Sequence, residues 1–317
     1  MSGEEEEVMS KKLLIFILLN AIITFIVGLI LLLLGYNIYF NELFYYNEEM
    51  YLIFSIITML GDTRVYIVVV AVLWFGYDKK YAKNLAMSLL LGGAYINNFL
   101  KDIFQDPRPW TRREANDYGF PSGHSQSAVC TYGYIGYEVR KKNKYVAWIF
   151  VGITYLIAIS RIIVGVHDLQ DIWGGLLFGM IFLTLFIYLE PKASEMFNIL
   201  SLLIKSIIAI TIPLILFIIA MILFPITDME YGLFCGAMMG LGLGYIIECE
   251  KIQYDLTTLS QKQKVINLIV GVVFALVLYV VLSLIPLESQ IWDLIQFFLL
   301  SFLLVTVLPW ILTKLEK

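Results

Sequence analysis

The sequence is poor in charged residues and has no excess of basic ones. Asp, Glu, Lys and Arg together make up 15% of its 317 residues, and the formal net charge is −4. Soluble globular domains carry about 25% charged residues. This shortage excludes an ordinary soluble enzyme, and the absence of a basic excess excludes a nucleic-acid-binding protein. A disordered chain is excluded because 60% of the residues are hydrophobic.

Cysteine is also scarce, and motifs for metals or nucleotides are missing. Cys130, Cys235 and Cys249 lie far apart without a CxxC pair. This spacing predicts buried thiols rather than a zinc site or a disulfide framework. The sequence contains no Walker A loop, no GxGxxG fingerprint and no cluster of metal-ligand residues. We therefore expect no cofactor, no metal and no nucleic-acid partner.

Long apolar runs are abundant instead. The mean hydropathy is +0.82, which predicts an all-α polytopic membrane protein. A helical span needs about 20 mostly apolar residues, and ten segments meet or approach that length. They are residues 13–35, 63–78, 83–104, 122–139, 145–165, 168–189, 198–223, 230–248, 265–285 and 291–312. The polar and aromatic residues at positions 36–60 predict a segment at the membrane interface rather than a span.

The basic residues predict the topology. If the acidic residues 1–12 are cytoplasmic and the spans alternate, most of the 22 Lys and Arg residues fall on the cytoplasmic side, in agreement with the positive-inside rule. Both termini are then cytoplasmic, and the protein lies in the cell membrane. The acidic start differs from a signal peptide, so we expect the first apolar stretch to stay as a helix. Six basic residues fall on the extracytoplasmic side: Arg64, Lys101, Arg108, Arg112, Arg113 and Arg161.

Three polar segments lie at the extracytoplasmic ends of predicted spans. They are residues 101–109, 120–126 and 160–171, and they contain both histidines of the protein, His124 and His167. Ionisable residues are costly within a membrane and usually functional there. The three segments therefore predict one site at the extracytoplasmic face. Arg112 and Arg113 are expected to contact lipid headgroups rather than to take part in it.

The residue types in these segments suit phosphate binding. Lys101, Arg108 and Arg161 provide positive charge and forked donors that fit a phosphate dianion. Ser122 and Gly123 open a predicted helix, whose first N–H groups point towards an anion. For the other polar residues nearby we expect more ordinary roles. Asn97 and Asn98 either orient the site or bond neighbouring helices, and Asp106 and Asp168 lie in loops or caps.

The remaining residues suit phosphoryl transfer. His167 and Asp171 are four positions apart, so one helical face would present both. The carboxylate can accept the Nδ1–H group and leave Nε2 with a lone pair for nucleophilic attack. His124 can then protonate the leaving oxygen. The set predicts metal-free phosphoryl transfer through a phosphohistidine.

In chain order, the motifs KxxxxxxRP, PSGH and SRxxxxxHxxxD resemble the signature of the type 2 phosphatidic acid phosphatase superfamily, which is related to vanadium haloperoxidases. The matching positions are Lys101, Arg108, Pro109, Pro121, Ser122, Gly123, His124, Ser160, Arg161, His167 and Asp171. The resemblance implies a six-helix phosphatase core over residues 13–190. It implies that His167 is the nucleophile, Asp171 its orienter and His124 the general acid. The phosphate ligands that it implies are Lys101, Arg108, Ser122, Gly123 and Arg161.

The location of the site favours a lipid substrate. A phosphate carried by a bilayer lipid reaches the membrane surface by lateral diffusion, so we expect a lipid phosphate or diphosphate together with membrane lipids as partners. The sequence around the motifs looks most like the branch with sphingosine-phosphate phosphatases and dolichyl diphosphatases, which implies a polyprenyl or similar lipid. Phosphatidate and phosphatidylglycerol phosphate stay open. A lipid phosphotransferase with the same intermediate, or a lipid transporter or flippase, is the alternative function.

Residues 191–317 form a predicted C-terminal region of four further spans. Gly232, Gly236, Gly240 and Gly244 recur every four positions and predict a ridge for close helix packing. The ridge serves either packing within the chain or a homodimer. Lys205 lies within a predicted span, and we expect Glu248 or Glu250 to pair with it.

Overall fold

Helices are the only regular secondary structure in the residues that the computed structural model describes, which are 3–111, 118–140, 142–285 and 287–315. In a membrane, a helix satisfies the backbone hydrogen bonds that lipid cannot. The α-helices are α1 Gly3–Leu33, α2 Tyr39–Phe44, α3 Glu48–Thr58, α4 Thr63–Gly76, α5 Lys79–Met87, α6 Ile96–Phe104, α7 Gly123–Ala128, α8 Tyr134–Val139, α9 Lys144–Ile163, α10 Leu169–Asn198, α11 Leu202–Leu223, α12 Tyr231–Ile247, α13 Gln261–Ser283, α14 Gln290–Val305 and α15 Val307–Leu315. Single π-helical segments continue α5, α7 and α12 at Ser88–Tyr95, Val129–Gly133 and Glu248–Ile252.

Seven helices in the described part of the chain are long and apolar enough to cross a membrane. They are Leu14–Leu33, Lys144–Ile163, Leu169–Asn198, Leu202–Leu223, Tyr231–Ile252, Gln261–Ser283 and Gln290–Lys314. Each coincides with one of the ten predicted spans, and the four C-terminal spans are all among them. The prediction of an all-α polytopic membrane protein is confirmed.

The other three predicted spans are less regular. Glu48–Gly61 and Thr63–Gly76 pass the test together but are bent by 43° at the break between them. Part of the segment predicted at the membrane interface therefore joins the predicted span 63–78 in one bent, apolar helix pair. The predicted spans 83–104 and 122–139 are helical, but π-helical segments interrupt them. Both carry polar residues of the predicted site, which lowers their hydropathy.

The helices pack into two compact units. One unit comprises the chain up to Val65 together with Gly92–Lys192, and the other comprises Tyr66–Leu91 and the chain from Ala193 onward. The break after Lys192 lies close to the expected boundary at residue 190, but residues 66–91, expected in the core, pack with the C-terminal unit. The aromatic rings of Trp74 and Phe75 explain the difference: both are buried in one cluster with Tyr254 and Leu308.

The predicted glycine ridge lies along α12 and faces α14 of the same chain. A Cβ atom added at Gly236 would lie 2.2 Å from the Leu294 carbonyl oxygen, and one added at Gly240 would lie 2.1 Å from the Ser301 hydroxyl. The ridge thus serves the intramolecular packing considered above, with backbones in close approach. A homodimer through these glycines would require α14 to leave the ridge.

Charged and thiol side chains of the C-terminal unit complete this picture. The Lys205 ammonium contacts the Glu250 carboxylate at 2.6 Å, which confirms one of the two expected pairs. Glu248 instead pairs with Lys79, also at 2.6 Å. Cys249 is exposed, contrary to the prediction of a buried thiol, because it lies in the π-helical segment at the end of the span.

The close packing of α12 can be tested with two matched substitutions. We expect Gly236→Ala to lower the free energy of unfolding by about 1–3 kcal/mol, because the added methyl group meets backbone atoms of α14. Gly242→Ala on the same helix should be neutral or stabilising, since its Cβ would meet ordinary contacts at 3.4 Å or more. Thermal unfolding of the purified variants in detergent measures both. Equal stability of the two variants would contradict the packing described.

Candidate active site

His167 and Asp171 form a buried hydrogen-bonded pair at the start of α10. His167 lies in the short loop between α9 and α10, and Asp171 lies in the first turn of α10. The distance between His167 Nδ1 and Asp171 Oδ2 is 2.9 Å. Both residues are almost completely buried, with 2% and 0% of their surface exposed. The predicted contact forms, but not on one helical face, because His167 precedes α10 and only Asp171 lies in the helix.

Arg108 lies on the other side of the His167 ring and determines its tautomer. One guanidinium nitrogen of Arg108 is 2.8 Å from His167 Nε2 and also donates to the Val166 carbonyl oxygen at 2.7 Å. A guanidinium group can only donate hydrogen bonds. Nε2 must therefore carry a lone pair, and the ring proton must reside on Nδ1, facing Asp171.

The second polar segment packs directly against α10. Ser122 is the N-cap of α7, and its backbone N–H group donates to the Asp171 carbonyl oxygen at 2.9 Å. Glycines make this approach possible. A Cβ at Gly175 would lie 2.5 Å from the Ser122 carbonyl oxygen, and one at Gly174 would lie 2.2 Å from the Phe120 ring. The first turn of α7, with Gly123 and His124, is thereby held beside the His167–Asp171 pair.

The cations of the site are held by polar groups from several elements. Lys101 is buried in the last turn of α6, and its ammonium group donates to the Tyr118 carbonyl oxygen at 2.9 Å. Arg161, near the end of α9, donates to the Thr58 hydroxyl at 2.8 Å. The contacts of Asn97 reach the second polar segment: its amide donates to the Pro121 carbonyl oxygen at 3.1 Å and to the Gln126 side chain at 2.9 Å.

The imidazole of His124 packs against the break between α3 and α4. A Cβ added at Gly61 would lie 2.9 Å from His124 Cδ2, so only glycine leaves room for the ring there. Thr58, the partner of Arg161, precedes the same break. The bend between α3 and α4 therefore forms one wall of the site. Sequence reasoning did not identify Thr58 or Gly61, because neither belongs to a motif.

Charges from all three segments act on His167. Burial, and next the positive charges of Arg108, Arg161 and Lys101, lower the pKa of its imidazole well below the ordinary value, and His124 acts in the same direction. Both effects disfavour the imidazolium form. His167 is thereby kept neutral, as a nitrogen nucleophile must be.

Neighbouring polar residues serve mainly as caps. The Asp168 carboxylate accepts the Asp171 N–H group at 3.0 Å, as expected of a capping residue, and burial raises its pKa. The Asp106 carbonyl oxygen accepts the Gly119 N–H group at 2.7 Å and fixes the loop before the second segment. Arg112 and Arg113 lie outside the described residues. The structure thus brings together Lys101, Arg108, Ser122, Gly123, His124, Arg161, His167 and Asp171.

Two segments of the chain match families of known proteins. Residues 81–195 match the family model of the PAP2 superfamily, and residues 232–317 match that of the PAP2 superfamily phosphatase, transmembrane extension. Phosphatidylglycerophosphatase B of Bacillus subtilis (strain 168) is 31% identical over 137 residues, which cover 39% of this chain and 68% of that protein. Lipid phosphate phosphatase delta of Arabidopsis thaliana is 30% identical over 146 residues, which cover 38% of this chain and 34% of that protein.

A solved structure is also similar. The crystal structure of a transmembrane PAP2 type phosphatidylglycerolphosphate phosphatase from Bacillus subtilis has a TM-score of 0.44 and 24% sequence identity. The match covers 54% of this chain and 96% of that one.

The influence of Arg108 on His167 can be measured directly. We expect Arg108→Gln to raise the pKa of His167, because the variant removes the nearest cation that disfavours the imidazolium form. Arg64→Gln is the control, since Arg64 is exposed and paired with Asp62. Titration of isotope-labelled histidine by NMR measures the pKa, and a His124→Gln variant assigns the two signals. An unchanged His167 titration in Arg108→Gln would contradict the contact.

Proposed function

The chain belongs to the PAP2 superfamily, and on that premise we propose that it is an integral-membrane lipid phosphatase that acts through a phosphohistidine on His167. One observation carries the proposal. The Arg108 guanidinium and the Asp171 carboxylate contact opposite nitrogens of the same buried imidazole. This arrangement supports a neutral His167 whose Nε2 lone pair points to a phosphate-binding group.

In the first step, a lipid phosphate displaces the hydrogen bond between Arg108 and His167 Nε2. The Arg108 N–H group then donates to a phosphate oxygen, as do Lys101, Arg161 and the first residues of α7. Nε2 attacks phosphorus and the N–P bond forms. The bond from phosphorus to the lipid oxygen breaks, and that oxygen takes the electron pair together with a proton from His124. Burial lowers the pKa of His124 itself to about 3, so the negative charge of the bound phosphate must favour the imidazolium form.

The second step releases the phosphate. His124, now neutral, takes a proton from a water molecule while the water oxygen attacks phosphorus. The N–P bond breaks, and its electron pair returns to Nε2. The products are inorganic phosphate and an imidazole with its proton on Nδ1. Asp171 accepts the Nδ1–H group throughout and stabilises the positive charge on the phosphorylated ring.

The substrate class follows from the membrane setting. The curated relatives are named phosphatidylglycerophosphatase B and lipid phosphate phosphatase delta, which supports a phosphate ester of a lipid. Within that class we propose polyprenyl phosphates and diphosphates beside glycerolipid phosphates as candidate substrates. The positive-inside distribution supports cytoplasmic termini and a site at the extracytoplasmic face.

The alternative acceptor is an alcohol or a sugar. In a lipid phosphotransferase the same phosphohistidine passes its phosphoryl group to that hydroxyl instead of water. Product analysis with and without candidate acceptors distinguishes the two reactions. Inorganic phosphate formed at the same rate in both mixtures supports the phosphatase.

The central test is turnover of purified protein in detergent against polyprenyl, sphingoid and glycerolipid phosphates. We expect release of inorganic phosphate from at least one of them. His167→Ala should reduce the rate by at least about 10³-fold, because the variant has no nucleophile. Acid-labile labelling of His167 with radioactive substrate phosphate checks the intermediate. Full activity of His167→Ala, or no turnover of any lipid phosphate by the wild type, would refute the function.

The metal-free scheme makes a separate prediction. We expect EDTA to leave turnover largely intact, because guanidinium and ammonium groups carry out the charge stabilisation that a metal would otherwise provide. Vanadate should inhibit, because it adopts the trigonal bipyramidal geometry of the transition state. Both effects are measured as the rate of phosphate release. Strong inhibition by EDTA that Mg²⁺ reverses would contradict the scheme.

A further inference from the structure

The loop that carries His167 is held by an asparagine from a distant part of the chain. Asn41 lies in the short helix α2, and none of its surface is exposed. Its side-chain amide donates to the His167 carbonyl oxygen at 2.8 Å and to the Ile162 carbonyl oxygen at 3.3 Å. Ile162 belongs to the last turn of α9, and its carbonyl oxygen also accepts the Gly165 N–H group at 2.9 Å. One buried amide therefore ties the end of α9 to the backbone of His167.

A second asparagine holds the residues that follow His167. The Asn37 side chain accepts the Gln170 N–H group at 2.8 Å and donates to the Asp168 carboxylate at 2.9 Å. The backbone carbonyl oxygen of Asn37 accepts the Leu169 N–H group at 3.1 Å. The N–H groups at the start of α10, which lack partners within the helix, are thus satisfied by the segment after α1.

These contacts leave the His167 backbone little freedom. Asn41 holds its carbonyl oxygen, and Asn37 holds the next three residues. Within the described residues, the hydrogen bonds to the ring come from Asp171 and Arg108 at its two nitrogens. A nucleophile must lie close to and in line with the atom it attacks, and an error of about 1 Å can cost about 10²-fold in rate.

We propose that Asn41, supported by Asn37, is a positioning residue for the nucleophile His167. Neither asparagine belongs to the three motifs, and neither contacts a reacting atom. Their effect passes through the backbone of the loop between α9 and α10. The proposal rests on the phosphatase function proposed above, but the position of the His167 ring can be observed without turnover.

The test compares Asn41→Leu with Asn47→Leu. Leucine branches at Cγ as asparagine does, is larger, and cannot donate to the two carbonyl oxygens. Asn47 lies six positions further along the same segment, is exposed, and accepts the Met50 N–H group as the N-cap of α3. The control therefore also removes a local hydrogen bond, but one that does not involve His167.

For Asn41→Leu we expect kcat to fall about 10- to 100-fold while KM stays near the wild-type value, because the phosphate ligands stay in place. Asn47→Leu should change neither constant. A purely structural role would instead reduce the amount of folded protein and leave kcat per folded molecule unchanged. That outcome, or an equal loss of kcat in both variants, would overturn the proposal.

The two histidines of the protein provide a readout that does not depend on activity. NMR of isotope-labelled histidine should show that Asn41→Leu shifts or broadens the ring signals of His167 and leaves those of His124 in place. Unchanged His167 signals would overturn the proposal even if the wild type turned over no lipid phosphate. If Asn41→Leu does not fold, Asn37→Ala removes the side-chain contacts to Asp168 and Gln170. The same changes in kcat and in the His167 signals then test the proposal.

Discussion

The catalytic unit depends on the hydrogen bonds at the two nitrogens of one buried imidazole. Asp171 accepts the proton on Nδ1, and Arg108 donates to Nε2. Neither bond alone defines the ring, because a histidine with one partner can exchange tautomers. The Arg108 guanidinium can only donate, and the Asp171 carboxylate in the first turn of α10 accepts. Only one tautomer of the His167 ring fits both partners. The lone pair then points towards the guanidinium group, where a phosphate oxygen would bind.

This arrangement requires the segment before α7 and the start of α10 to approach until their backbones are in contact. The second polar segment reaches Asp171 only because glycines line the contact. A Cβ at Gly119 would lie 2.8 Å from the Asp171 carboxylate, and Gly175 faces the Ser122 carbonyl oxygen at a similarly short distance. Gly61 likewise leaves room for the His124 ring. The conformational cost of glycine in a helix, about 0.5–1 kcal/mol relative to alanine, is offset here by the close approach that it permits.

The sequence predicts those parts of the protein that depend on local periodicity. The apolar runs identify the long helices, and the short separation of His167 and Asp171 in the sequence identifies their contact, although His167 lies in the loop before α10 and not on the helix. Asn41 and Thr58 are not predictable in this way, since each meets its partner more than 100 positions away in the chain. Their side chains look like polar residues at a membrane surface until α2 and α3 are placed. Likewise, the apolar runs at residues 63–78 and 83–104 predict spans, but they do not predict which unit residues 66–91 join. Aromatic packing decides that choice.

In the described residues, the contacts of lysine and arginine differ in kind between the two units. In the C-terminal unit the Lys79 ammonium is joined to the Glu248 carboxylate, and that carboxylate also accepts the Tyr254 N–H group at 2.8 Å. Such a pair gains little by exchanging its carboxylate for another anion. In the other unit, Lys101 donates to the Tyr118 carbonyl oxygen and Arg161 to the Thr58 hydroxyl group, among their contacts. A phosphate oxygen accepts a stronger, charge-assisted hydrogen bond than either. Under the function proposed above, these contacts orient the cations before a phosphate replaces them, so the site would combine a fixed geometry with affinity for its substrate.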